Sequence, residues 1–231
     1  MKRCLIAIII PFLLCGCCVE SENFAPVVNG WLQPKARLGS YRVKQGDTIY
    51  SIAWAFGLDY QALAAANRLS PPYRIESGQT LQMTIIPRGA HVSTGFAVLP
   101  RRQSPPQLQA VVHWRCPAKG RLIGNYSVGM VGNQGINIAG HYGEMVRAAF
   151  DGVVVYSGAG IRGYGNLIIV KHTNAYLSAY AFNKRILVKE GSRVRAGQKI
   201  AEMGRTNSGQ VMLHFEIRRN GQPVNPLRYL S

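Results

Sequence analysis

The chain has 231 residues, 47% of them hydrophobic, enough to bury a core and to exclude a wholly disordered polypeptide. Its 27 Lys and Arg against 10 Asp and Glu leave a formal charge of +17, which speaks of anionic partners rather than of fold. Nucleic acid is set aside, because there is no RNP-like motif, no zinc-finger spacing and no Lys/Arg-rich run; anionic lipid and an acidic cell-wall polymer remain.

The first residues, MKRCLIAIIIPFLLCGCC, read as an export signal. Lys2 and Arg3 form the positive start. Leu5 to Leu14 form an apolar run, interrupted by Pro11, that falls short of the about 20 residues a membrane-spanning helix needs. The end, Leu14-Cys15-Gly16-Cys17, resembles the bacterial lipobox. That resemblance implies a signal peptide of residues 1–17 with lipidated Cys17. It also implies an outer-membrane anchor facing the periplasm, since Cys18 stands where an Asp would favour inner-membrane retention. Once Cys4 and Cys15 leave with the signal and Cys17 is acylated, Cys18 and Cys116 are the remaining thiols. They can pair with each other or with another chain, and sequence does not fix the connectivity.

Residues 18–40 carry Pro, Gly, Asn and Ser without periodicity and read as a tether. Residues 41–86 form a compact unit. Tyr41 to Lys44 alternates as a short strand, Gly46-Asp47 turns, and Thr48 caps a helix with Ile49, Ile52, Ala53 and Phe56 on one face. Gly57 ends that helix, a second runs over Tyr60 to Asn67, and Gly78-Gln79-Thr80-Leu81 returns to a strand, giving the order βααβ. This unit resembles the LysM module through Tyr-x-Val-x-x-Gly-Asp-Thr, Leu-x-x-x-Asn at 63 to 67 and Ile-x-x-Gly-Gln-x-Leu at 75 to 81. The resemblance implies binding of N-acetylglucosamine-containing glycan by Gly46, Asp47 and Thr48 together with Ser70, Pro71, Arg74 and Ile75. The first three also supply turn and cap chemistry whether or not sugar binds.

Residues 87–110 hold Pro100, Pro105 and Pro106 with Arg88, Arg101 and Arg102, a basic semi-extended linker. The remainder, residues 111–231, is mainly short apolar segments between glycine turns, such as Gly152 to Tyr156, Leu167 to Val170 and Met212 to Ile217, with Asn220-Gly221 closing a hairpin. Without long helical patterns, a mainly antiparallel all-β domain is expected.

This region resembles the lysostaphin/LytM-type zinc metallopeptidases through Asn133-Gln-Gly-Ile-Asn137, Gly163-Tyr-Gly-Asn166, Tyr180-Ala-Phe182 and Leu213-His-Phe-Glu-Ile217 leading to Val224-Asn-Pro226. Within that family the order of lipobox, LysM, linker and LytM-like domain resembles the NlpD-like lipoproteins. Carried over, the family's three zinc-ligand positions are Asn133, Asn137 and His214, and its two assisting histidine positions are Phe182 and Met212. A hydrolytic zinc needs three strong donors and an open position for water. Neutral amides suit hard cations rather than zinc, and neither Phe182 nor Met212 can move a proton. The expectation is therefore a degenerate domain with no metal, no cofactor and no catalytic residue. His214 is read as a structural residue that Glu216, two further along the same strand face, orients; His172 is also read as structural, and His91, His113 and His141 stand at no metal-ligand spacing.

The resemblance implies a non-catalytic protein that binds peptidoglycan and activates periplasmic N-acetylmuramoyl-L-alanine amidases in cell-wall remodelling and daughter-cell separation. A groove lined by Asn133, Asn137, Phe182, Met212 and His214 is the expected partner contact. From Arg115 onward, 16 Lys and Arg stand against 5 Asp and Glu, a local +11, which suits an acidic partner. Two alternatives share the same features: a passive tether between peptidoglycan and outer membrane, and a zinc endopeptidase, which the missing ligands disfavour.

Overall fold

The computed structural model describes residues 39–84, 114–127 and 134–231. The expected lipidation site Cys17, Cys18, the expected tether up to residue 38, the expected linker 87–110 and Asn133 lie outside the described residues.

The small module is built from β1 (Ser40–Arg42), α1 (Ile49–Phe56), α2 (Tyr60–Ala66) and β2 (Thr80–Gln82). β1 starts at Ser40, one residue inside the expected tether, and pairs antiparallel with β2 so that Tyr41 faces Leu81. Each boundary has a local cause. The Thr48 hydroxyl oxygen accepts from the Ser51 N–H while Ser51 Oγ accepts from the Thr48 N–H, a reciprocal cap on the first turn. Gly57 at φ 65° ends α1 in the left-handed region and donates its N–H to Trp54 O. Asp59 caps α2 through the Ala62 N–H. Asn67 then ties α2 to β2, donating to Leu63 O and Gln82 O and accepting from the Gln82 N–H. Ile49, Ile52 and Ala53 fill the core with Leu63, Ala64 and Leu81, as the helical spacing requires.

The large module contains β3 (Arg121–Gly124), β4 (Ile136–Ala139), β5 (Met145–Arg147), β6 (Gly152–Gly158), β7 (Asn166–Lys171), β8 (Tyr176–Ile186), β9 (Arg193–Val194), β10 (Lys199–Met203), β11 (Met212–Arg219) and β12 (Gln222–Val224). The strands run in the order β3-β4-β11-β8-β7-β6-β9, with β12 on β11 and β10 joining β8 to β5, every pairing antiparallel. Asn220 and Gly221, at φ 49° and 75°, make the tight β11–β12 turn that this dipeptide favours.

Antiparallel sheets commonly leave one face to solvent, but this one covers both. Ile168, Val170, Tyr180, Leu213, Phe215 and Ile217 point to a core shared with β5, β10 and Trp114. Trp114 stacks on Phe150 at 5.7 Å and bridges to Leu230, joining the start of the module to its last residues. The alternate residues Leu167, Ile169, Leu177, Ala179 and Ala181 belong to one continuous apolar cluster with the small module. Among the described residues, hydrogen bonds cross between the modules from Thr48 Oγ1 to Val155 O at 3.2 Å, Trp54 Nε1 to Tyr164 Oη at 2.9 Å, Tyr60 Oη to Asn174 O at 3.3 Å and Arg218 Nη1 to Trp54 O at 2.7 Å. Ser51 and Trp54, on the side of α1 away from its own module's core, are buried by this contact.

Replacing Thr48 by Ala removes the helix cap and one intermodule bond. The expected loss is about 1 kcal/mol from the cap, read as a lower urea midpoint with an unchanged slope.

Candidate functional site

The sheet face beneath the small module carries the candidate site. Side chains on a strand alternate, so Met212, His214, Glu216 and Arg218 of β11 share that face while Leu213, Phe215 and Ile217 enter the opposite core. Cross-strand register sets Met212 opposite Ala139 and His214 opposite Asn137 on β4, with His214 opposite Ala181 on β8. The structure thus brings together Asn137, Phe182, Met212 and His214; Asn133 is outside the described residues.

Their surroundings differ from an open groove. Met212, Phe182 and His214 are only 1%, 5% and 8% exposed. His214 uses both ring nitrogens: Nδ1 lies 2.7 Å from Asn137 Oδ1, and Nε2 lies 3.1 Å from Glu216 Oε1. Glu216 therefore orients His214, as the strand spacing leads one to expect. Phe182, whose ring centre is 6.3 Å from that of His214, sits at φ 62°. A bulky residue there is strained, and it is held from both sides: its N–H donates to Tyr164 O and its carbonyl accepts from the Gly204 N–H.

Residues outside the expected site complete a buried polar network. Glu216 is 1% and Arg218 3% exposed. The guanidinium donates from Nε to Glu216 Oε2 at 3.1 Å, and its Nη2 lies 3.0 Å from the same oxygen, a charge-assisted pair. It also donates to Gln134 Oε1 at 2.8 Å and to Trp54 O, and lies 3.7 Å above the Trp54 ring. Tyr164 donates to Glu216 Oε1 at 2.7 Å and accepts from the Trp54 indole. Burial alone would raise the Glu216 pKa, but the Arg218 charge and the hydrogen bonds from His214 and Tyr164 outweigh it and hold the group at about 2. Burial and the adjacent Glu216 charge push the Tyr164 hydroxyl well above its ordinary value, so it stays a donor.

A hydrolytic metal does not fit this arrangement. Among the described residues, no group of three or more His, Cys, Asp or Glu is placed to hold one. Asn137 contributes a neutral amide, and each His214 nitrogen already has a partner that a metal would have to displace. His172 is structural: Nδ1 meets Asp151 O and Nε2 meets Ser178 Oγ, each at 2.7 Å, beside Trp114, and burial lowers its pKa to about 4. Cys116 is exposed and unpaired among the described residues.

On the small module, Asp47 Oδ2 accepts from the Tyr41 hydroxyl and the Lys44 N–H, so its carboxylate closes the turn at Gly46. Thr48 is committed to its cap and to Val155. Ser70, Pro71 and Arg74 are exposed on the loop before β2, and Ile75 packs at the edge of the shared cluster. Sequence reasoning missed Trp54, Tyr164 and Arg218. Their signal is faint, because an Arg alternating with apolar neighbours on a strand reads as solvent-facing.

Arg218→Ala leaves Glu216 buried without its counter-charge and is expected to lose about 3–5 kcal/mol in urea unfolding. The paired Glu216 stabilises the folded state fully above about pH 4.5, and that contribution disappears as pH falls toward 2. Glu216→Gln should therefore flatten the acid limb of a stability-against-pH curve in that window. Purified protein should carry no stoichiometric zinc by elemental analysis, and EDTA should leave its melting temperature unchanged.

Residues 41–84 match the LysM domain and residues 131–226 match peptidase family M23. The chain is 40% identical to the "Lipoprotein NlpD/LppB homolog" of Pseudomonas aeruginosa, over 98% of this chain and 91% of that protein. It is 39% identical to the "Uncharacterized lipoprotein YgeR" of Escherichia coli, over 94% and 88% of the two chains. To the "Murein hydrolase activator NlpD" of Salmonella typhimurium it is 37% identical, over 83% and 68%. A LysM module joined to an M23-type β-domain, alike to the first two of these lipoproteins over 88% or more of each chain, places the chain in the NlpD family of LysM/LytM lipoproteins.

Proposed function

We propose that this chain is a peptidoglycan-binding, outer-membrane-anchored lipoprotein that activates periplasmic N-acetylmuramoyl-L-alanine amidases and is not itself a peptidase. One observation carries the non-catalytic half: His214, the imidazole left at the metal-binding positions, is held between Asn137 and Glu216. A side chain fixed in that way positions a surface; it does not activate water. The activator half is supported by family membership, since relatives of this architecture bear the name murein hydrolase activator. The LysM module supplies the wall-binding half, with Gly46, Asp47, Thr48, Ser70, Pro71, Arg74 and Ile75 as the proposed glycan contact. Asp47 and Thr48 then act chiefly by shaping the loop, because their side-chain oxygens already have partners.

In this reading the amidase contact lies on the sheet face that holds Asn137, Phe182, Met212 and His214, extended by Asn133. The +11 balance from Arg115 onward favours an acidic partner segment.

The test adds the mature chain, freed of its lipid, to each periplasmic amidase of the host with intact sacculi. Muropeptide release should rise above that of the amidase alone, and the chain alone should release nothing. Co-sedimentation with sacculi without added release from any amidase would leave a passive tether. Release by the chain alone that chelators abolish would restore the peptidase reading.

A further inference from the structure

The small module is seated on the face assigned above to the partner. Its helix α1 packs on β6, meets Arg218 of β11 and shares one apolar cluster with residues of β7 and β8. Near its N-terminus Thr48 bonds Val155, in its last turn Trp54 enters between Tyr164 and the Arg218 guanidinium, and beyond its end the Leu58–Asp59 backbone lies against the Gly221 turn. Arg218 is placed as a partner for a helix end. It donates to Trp54 O, a last-turn carbonyl of α1 that also accepts from the Gly57 cap N–H, where positive charge complements the helix dipole. The seat therefore has three parts: an apolar floor of Leu167, Ile169, Leu177 and Ala179, a slot for one indole, and a cation for the C-terminal carbonyls.

We infer that the LysM module closes the chain on itself: α1 holds in cis the seat that a helix of the activated amidase takes in trans, and activation requires the module to swing away. This rests on the activator reading above. The docked contact suits a reversible closure because its polar parts survive opening. Arg218 keeps Glu216, Gln134 and Tyr164, Glu216 keeps His214, and what the large module loses to water is the Trp54 carbonyl and indole, the Thr48 and Tyr60 hydroxyls and the cover of its apolar floor. Residues 85–113 join the modules, and at about 3.3–3.6 Å per residue fully extended they are long enough to let the two part. The incoming partner segment is accordingly an amphipathic helix with an aromatic donor near its C-terminal end.

Gly221 allows a test that disturbs neither core. A Cβ there would stand 2.5 Å from Asp59 N and 2.6 Å from Leu58 C, backbone atoms that no side-chain rotation relieves. Asn and Asp both tolerate its φ of 75°. Gly221→Asn wedges the modules apart by shape, and Gly221→Asp adds a carboxylate beside Asp59. Small-angle scattering of the lipid-free mature chain should show a larger radius of gyration for both variants. The concentration giving half-maximal amidase activation on sacculi should fall about tenfold if the closed form outweighs the open one about ten to one. An enlarged radius with an unchanged half-maximal concentration would overturn the shared seat while leaving the activator function standing. An unchanged radius in both variants would overturn the closure itself. No activation by the parent or either variant would remove the activator function and this inference with it.

Discussion

The Glu216–Arg218 pair is the constraint around which the two modules are arranged. A carboxylate and a guanidinium at 1% and 3% exposure are tolerated only where every polar atom finds a partner. Tyr164 and His214 meet one side of the carboxylate, and Gln134 and the Trp54 carbonyl take up the guanidinium. One of those partners belongs to the other module. The network therefore links the His214 imidazole to the main chain of a helix more than a hundred residues earlier in the sequence, and it does so along one strand face, by the two-residue repeat of β11.

The same face shows how the candidate site is packed. The His214 imidazole is held on both sides, by Asn137 Oδ1 and Glu216 Oε1. Met212 and Phe182 fill the space with apolar volume. The backbone at residue 182 nevertheless keeps its left-handed turn, clasped by Tyr164 and Gly204. That conformation is set by the strands on either side, so it does not depend on which side chain occupies the position.

Much of the fold was legible in the sequence because its signals are local. Thr48 and Ser51 cap, Gly57 stops, Asn220-Gly221 turns, and the βααβ order follows from them. The pairing of Glu216 with His214 was legible for the same reason, since two residues on a strand share a face. The docking was not. Trp54 lies off the stripe of Ile49, Ile52, Ala53 and Phe56, and nothing near it states what would bury it. The unbroken run Leu167 to Val170 carries a hint, because a strand apolar at every position has both faces covered. It does not say by what. Arg218 was opaque for a deeper reason: its environment comes from Gln134, Tyr164 and Trp54, three segments that only the tertiary structure brings together.

The apolar cluster that runs without interruption from α1 into the sheet has a thermodynamic consequence. A unit of some 45 residues buries a modest share of its surface and is marginal alone, and here a good part of its covering belongs to its neighbour. Heat or denaturant should then melt both modules in one cooperative transition, and the LysM module, once released, should be the softer of the two, exchanging its amide hydrogens ahead of the sheet.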